Sequence, residues 1–154
     1  MVPLNLPAAP LSLRHGPRGA EVYDTLRRKW LLLTPEEWVR QNFVHYLHAE
    51  CGYPMSMMAN EVAIRLNDTL KRCDTVVYSP TLRPLAIVEY KAPDVQLTRE
   101  VFEQIIRYNI VLDVGHLIIS NGISHYCCRV IRDGARPRVQ FLENIPEYGV
   151  LRGE

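Results

Sequence analysis

The chain has 154 residues, 47% hydrophobic and 23% charged, which suits one globular domain able to bury a core. No run approaches the roughly 18 consecutive apolar residues of a membrane helix, and the proline-broken opening MVPLNLPAAPLSLRHG lacks a signal-peptide core, so a soluble cytoplasmic protein with no membrane partner is expected. The net charge of +1, from 18 basic and 17 acidic side chains, neither announces nor excludes a nucleic-acid binder.

Residues 1–21, rich in Pro, Gly and Arg, read as an extended N-terminal arm, and residues 22–154 as a single domain. VYDTLRRKWLLL, Val22 to Leu33, holds a short strand. The first helix begins at TPEEWVRQNFVHYLHAECG: Thr34 caps it, Pro35 suits its first turn, Glu37 completes a capping box and Gly52 ends it. At 100° per residue Val39, Phe43, Tyr46 and Leu47 form one apolar stripe. Glu36 falls within that stripe and Glu37 well outside it, so Glu36 is expected to point inward. In NEVAIRLN, Val62, Ile64 and Leu66 alternate as in a half-buried strand. Asn67-Asp68 supplies a turn before a second strand, KRCDTVVYS, and LAIVEYKA follows Pro84 as a third. A second helix starts near Thr98, with Val101, Ile105 and Tyr108 at helical spacing. GHLIISNG reads as a strand buried on both faces, and SHYCCRVIRDGARPRVQFLE as a hairpin turning at Asp133-Gly134.

The third strand sets the functional question, because it carries Glu89 and Lys91 on one face while Val88 and Tyr90 point to the other. The plain alternative is an exposed ion pair at a sheet edge. A second carboxylate changes the picture: Asp74, in the preceding strand, can come beside Glu89 if SPTLRP closes a hairpin. Two carboxylates about 4 Å apart repel by roughly 4 kcal/mol at an effective dielectric of 20, and a divalent cation turns that repulsion into attraction. Mg2+ or Mn2+ held by Asp74, Glu89 and the Tyr90 carbonyl suits phosphodiester hydrolysis, with Lys91 stabilising the developing negative charge. Zinc is not expected. Cys51, Cys73, Cys127 and Cys128 form no C-x-x-C pair and read as reduced packing residues, and His45, His48, His116 and His125 share no ligand spacing.

The order helix, three-stranded meander, helix, strand, with Asp74 followed by Glu89-Tyr90-Lys91, resembles the PD-(D/E)XK nuclease superfamily. Gln104-x-x-x-Tyr108 resembles the Q-x-x-x-Y motif of RecB-type nucleases. LTPEEWVRQ, KRCDTVVY, AIVEYKAP and YNIVLDVGHLIISNG resemble the N-terminal nuclease region of type I restriction enzyme R subunits and their short stand-alone relatives, over about residues 22–145. Cys73 departs from the pattern where the motif has proline. The resemblance implies an α/β, restriction-endonuclease-like fold with a mixed central sheet flanked by helices. It also implies a Mg2+-dependent DNA endonuclease of restriction-modification, with Asp74, Glu89 and Tyr90 at the metal and Lys91, Glu36, Gln104 and Tyr108 in catalysis. No G-x-x-x-x-G-K-[ST] occurs, so a motor, like a specificity protein, is expected to be a separate partner. The competing expectation is a non-catalytic module on the same fold that holds nucleic acid or a protein, which the near-neutral charge favours.

Overall fold

Short alternating segments open the chain. In the computed structural model, which describes residues 1–134 and 136–153, Leu13–Gly16 (β1) and Gly19–Asp24 (β2) pair antiparallel around Pro17-Arg18. Gly19 closes that turn at φ +125°, a conformation side chains rarely adopt. Lys29–Leu32 (β3) adds to β2, completing a three-stranded sheet. Two of these strands lie in or begin within the segment expected to be an extended arm. Leu4 and Leu6 also pack against the main core, and Asn5 is tied by its N–H to the Gly122 carbonyl at 2.8 Å. The turn Gly16-Pro17-Arg18-Gly19 explains the difference, since it is hairpin punctuation as much as it is loop composition.

The helix Pro35–Cys51 (α1) starts and stops where its caps dictate: Thr34 Oγ1 accepts from the Glu37 N–H at 3.1 Å, and Gly52 terminates it at φ 75°. The capping box is only half formed, because the Glu37 carboxylate is drawn to Arg27 instead. A 3-10 turn at Met55–Met57 leads into Met58–Leu66 (β4), Thr69–Tyr78 (β5) and Pro84–Tyr90 (β6). Arg99–Asn109 (α2), capped by Thr98, crosses over to His116–Ser120 (β7). His125–Ile131 (β8), Arg138–Leu142 (β9) and the single turn Tyr148–Leu151 (α3) follow.

The second sheet has the order β4-β5-β6-β7-β8-β9, antiparallel throughout except for the parallel pair β6–β7. A parallel neighbour requires a crossover, which α2 supplies. On one face Val39, Phe43 and Leu47 of α1 pack against Val77, Ala86, Val88, Tyr90 and Ile118. On the other, Ile106 and Ile110 lie against Val76, Ile87, Leu117 and Val130. Each fully buried aliphatic or aromatic side chain contributes about 1.5–3 kcal/mol, so the two layers dominate stability. All four cysteines are free and buried; Cys51 and Cys127 belong to the α1 layer and Cys73 to the α2 layer. Cys128 turns from Cys127 to the α2 face, where its register partner is Leu117. Among the described residues no helix is long and apolar enough to cross a membrane.

Two side-chain assignments differ from the sequence reading. Glu37 is the buried first-turn acid and Glu36 is exposed. The apolar stripe alone misplaced them, because α1 is also buried on a polar flank of Glu37, Arg40, Gln41 and Asn42. In α2 the inward positions are Ile105 and Asn109, while Tyr108 is 41% exposed.

Candidate active site

The ladder between β5 and β6 runs from Tyr78–Pro84 to Thr75–Val88 and stops, whereas β4 and β5 stay paired out to Leu66–Thr69. Beyond Thr75 the two strands therefore part. One further step of the register sets Asp74 opposite Glu89, in the fork of that parting. The next ladder position would give the Tyr90 N–H a carbonyl of β5. It donates instead to Asp74 Oδ2 at 2.9 Å, so the carboxylate substitutes for a ladder acceptor and is fixed by it.

A reversal of sides occurs at the same place. Asn60 and Thr75 face the α1 layer, where Thr75 Oγ1 lies 2.9 Å from the Tyr90 hydroxyl and donates to Asn60 Oδ1 at 2.6 Å. Two residues away, Val62 and Cys73 pack in the α2 layer. Plain alternation keeps residues i and i+2 on one face, so both strands of the β4–β5 hairpin change sides at Glu61 and Asp74. Glu61 absorbs the change with φ 55°. Arg40, buried in α1, braces it: Nη1 donates to the Asp74 carbonyl at 2.7 Å and Nη2 to Glu61 Oε1 at 2.7 Å.

The electrostatics follow from this crowding. Burial pushes the Glu89 carboxyl up, to about 8, helped by the Asp74 charge and a hydrogen bond with it and opposed by the Lys91 ammonium. Burial also raises Asp74, against the pull of the Tyr90 N–H and Arg40. Glu89 Oε2 is buried and has no hydrogen-bond partner. Such an oxygen beside a second carboxylate is a fitting donor for a hard divalent cation. Among the described residues no group of three or more His, Cys, Asp and Glu side chains is gathered for a metal. The Tyr90 ring points away from it, packed on Phe43 with centroids 5.9 Å apart and beneath Arg40.

Lys91 lies just past β6, its N–H donating to the Ser120 carbonyl at 2.9 Å, and its charge acts directly on Glu89. Glu36, although exposed, is near enough that its charge also raises Glu89. Gln104 and Tyr108 share the exposed side of α2. The Tyr108 ring carries the Lys71 ammonium 3.9 Å from its centroid, so this side of the helix faces the β4–β5 hairpin. Asp74, Glu89 and Lys91 are thus brought together, Glu36 joins them through its field, and Gln104 and Tyr108 stand on the helix flank that the hairpin overhangs.

Sequence reasoning passed over Arg40, Glu61, Asn60 and Thr75. A signal existed in Asn60-Glu61, a polar pair at the base of a strand whose partner carries Asp74, but its meaning depends on the register. The polar set continues outward: Asn60 Nδ2 donates to Asp24 Oδ2 at 3.0 Å, and Arg27 bridges Asp24 to Glu37, tying the small sheet to α1.

Residues 35–146, which include Glu36, Asp74, Glu89, Lys91, Gln104 and Tyr108, match the family described as type I restriction enzyme R protein N terminus. The three-stranded sheet precedes the matched region. Comparison with curated proteins found no match.

Proposed function

Because the chain belongs to the type I restriction enzyme R protein N-terminal family, we propose that it is a Mg2+-dependent endonuclease hydrolysing DNA phosphodiester bonds at Asp74 and Glu89. The observation that carries this reading is the buried, unpartnered Glu89 oxygen next to a second carboxylate, with a lysine charge beside it. Asp74 and Glu89, with the Tyr90 carbonyl, would hold the ion. When bound there, Mg2+ would supply Lewis-acid polarisation of the scissile phosphate and a lowered pKa for an attacking water.

The remaining work belongs to the chain. Asp74 is kept in place by the Tyr90 N–H, so one donor is fixed before substrate arrives. Lys91 offers an ammonium to the negative charge that grows on the phosphate as the bond to the leaving oxygen breaks. Glu36 adds a carboxylate at the mouth of the site, where it can orient water. Gln104 and Tyr108 supply an amide and a phenol suited to holding the DNA backbone. ATP-driven translocation would come from a separate motor protein, and target choice from a specificity partner.

Purified protein incubated with Mg2+ or Mn2+ and single-stranded, duplex and branched DNA tests the reading. Cleavage that vanishes in Asp74→Asn and Glu89→Gln is expected. Intact DNA in all three cases overturns the stand-alone enzyme, and DNA binding without cleavage would favour the binding module instead.

A further inference from the structure

At the reversal of sides at Glu61 and Asp74 the β4–β5 register skips one pair, and there the Asp74 backbone carbonyl accepts from a long side chain of another layer. Arg40 spans from α1 to both strands of the hairpin through separate nitrogens, at 2.7 Å to the Asp74 carbonyl and 2.7 Å to Glu61 Oε1. The same guanidinium lies 5.6 Å from the Tyr90 ring centroid and 3.3 Å from Glu37 Oε2. Tyr90 in turn holds the Asp74 carboxylate through its N–H. Arg40 therefore holds Asp74 directly at its carbonyl and lies over the ring of Tyr90, whose N–H grips the Asp74 side chain. A planar fork can serve two acceptors at once, which an ammonium cannot do with the same geometry.

We infer that Arg40 is a positioning residue: it locks the hairpin's change of sides and thereby sets the distance from Asp74 to Glu89 on which cation binding depends. Its consequence for catalysis rests on the nuclease reading, while its geometry does not. The role differs from that of a general core cation because the effect is local. The β6–β7–β8 core is paired through its own ladders and needs nothing from Arg40. What loosens without Arg40 is the step, and with it the bond from the Tyr90 N–H to Asp74.

Amide hydrogen exchange followed by NMR on wild type, Arg40→Gln and Arg40→Lys reads that bond directly, with no dependence on activity. In Arg40→Gln the Tyr90 amide should exchange at least tenfold faster relative to the Ile118 and Cys128 amides, and Mn2+ affinity measured calorimetrically should fall about tenfold. Arg40→Lys should give the same selective loss in smaller measure, and it decides the matter if Arg40→Gln does not fold. Tyr90 protection that stays unchanged, or falls only in step with Ile118 and Cys128, overturns the inference. Cleavage adds a separate arm: kcat should drop in both variants with KM for DNA changed less than twofold, and wild-type kcat in both overturns the positioning role. Wild-type protein that cleaves nothing overturns the nuclease reading alone, leaving the exchange and Mn2+ results to decide on Arg40.

Discussion

Glu89→Gln should make the metal-free protein more stable while destroying cleavage. Gln keeps the shape of Glu and can still donate to Asp74, but removes a charge that is held half-buried against another carboxylate. The carboxyl stands at about 8 against an ordinary 4.5, and at about 1.36 kcal/mol per pKa unit the whole displacement bounds the effect near 5 kcal/mol. Screening of a half-buried group and local relaxation reduce this to about 1–2 kcal/mol. The sign follows from proton linkage. An acid with a raised native value holds its proton more tightly folded than unfolded, so wild-type stability declines as pH rises from about 4.5 to about 8. The advantage of Glu89→Gln is therefore absent near pH 4.5 and full above pH 8. Urea denaturation in EDTA at intervals from pH 4.5 to 8.5 measures it, and a midpoint shift of about 2–8 °C in thermal unfolding at pH 8 should accompany it. A variant less stable than wild type at pH 8, or a gain independent of pH, would refute the account of the carboxylate pair.

Glu37→Gln should cost about 2–4 kcal/mol in the same denaturation assay, because Arg27 and Arg40 each lose a buried partner, whereas exposed Glu36→Gln should leave stability within about 0.5 kcal/mol and lower the cleavage rate. Lys91→Ala should abolish cleavage and leave Mn2+ affinity within about threefold of wild type, since an ammonium cannot ligate a cation; calorimetry against the Glu89→Ala variant checks it. Gln104→Ala should slow cleavage with little change in melting temperature, as its side chain is exposed; parallel loss of both would assign it to packing.

Elements governed by local chemistry were legible in the sequence. Thr34, Pro35 and Gly52 bounded α1, Thr98 opened α2, and the apolar run before Ser120 was a strand buried on both faces. The meeting of Asp74 with Glu89 was legible too, because a hairpin connection of ordinary length fixes which residues face each other across it. Illegible were features that depend on a third element. The burial of Glu37 over Glu36 required the small sheet with Arg27, and no helical periodicity contains that sheet. Nothing in the sequence singles out Arg40, whose guanidinium finds two acceptors only through the reversal at Glu61 and Asp74. Tyr108 counted as apolar in a spacing argument, but its ring serves a lysine from a distant strand.

The four cysteines lend themselves to following how the molecule opens. Burial raises every thiol, Cys73 and Cys128 to about 11 and Cys127 to about 12, so almost no reactive thiolate exists at neutral pH in the folded state. A surface cysteine introduced at the hairpin tip would consequently label alone, without removal of the native four. The native thiols divide two and two between the layers, Cys51 at the end of α1 and Cys127 beneath it, Cys73 and Cys128 in the layer of α2. Pulsed alkylation during unfolding, resolved peptide by peptide, would then time the exposure of each layer independently, with two adjacent residues, Cys127 and Cys128, acting as separate clocks on opposite sides of one strand.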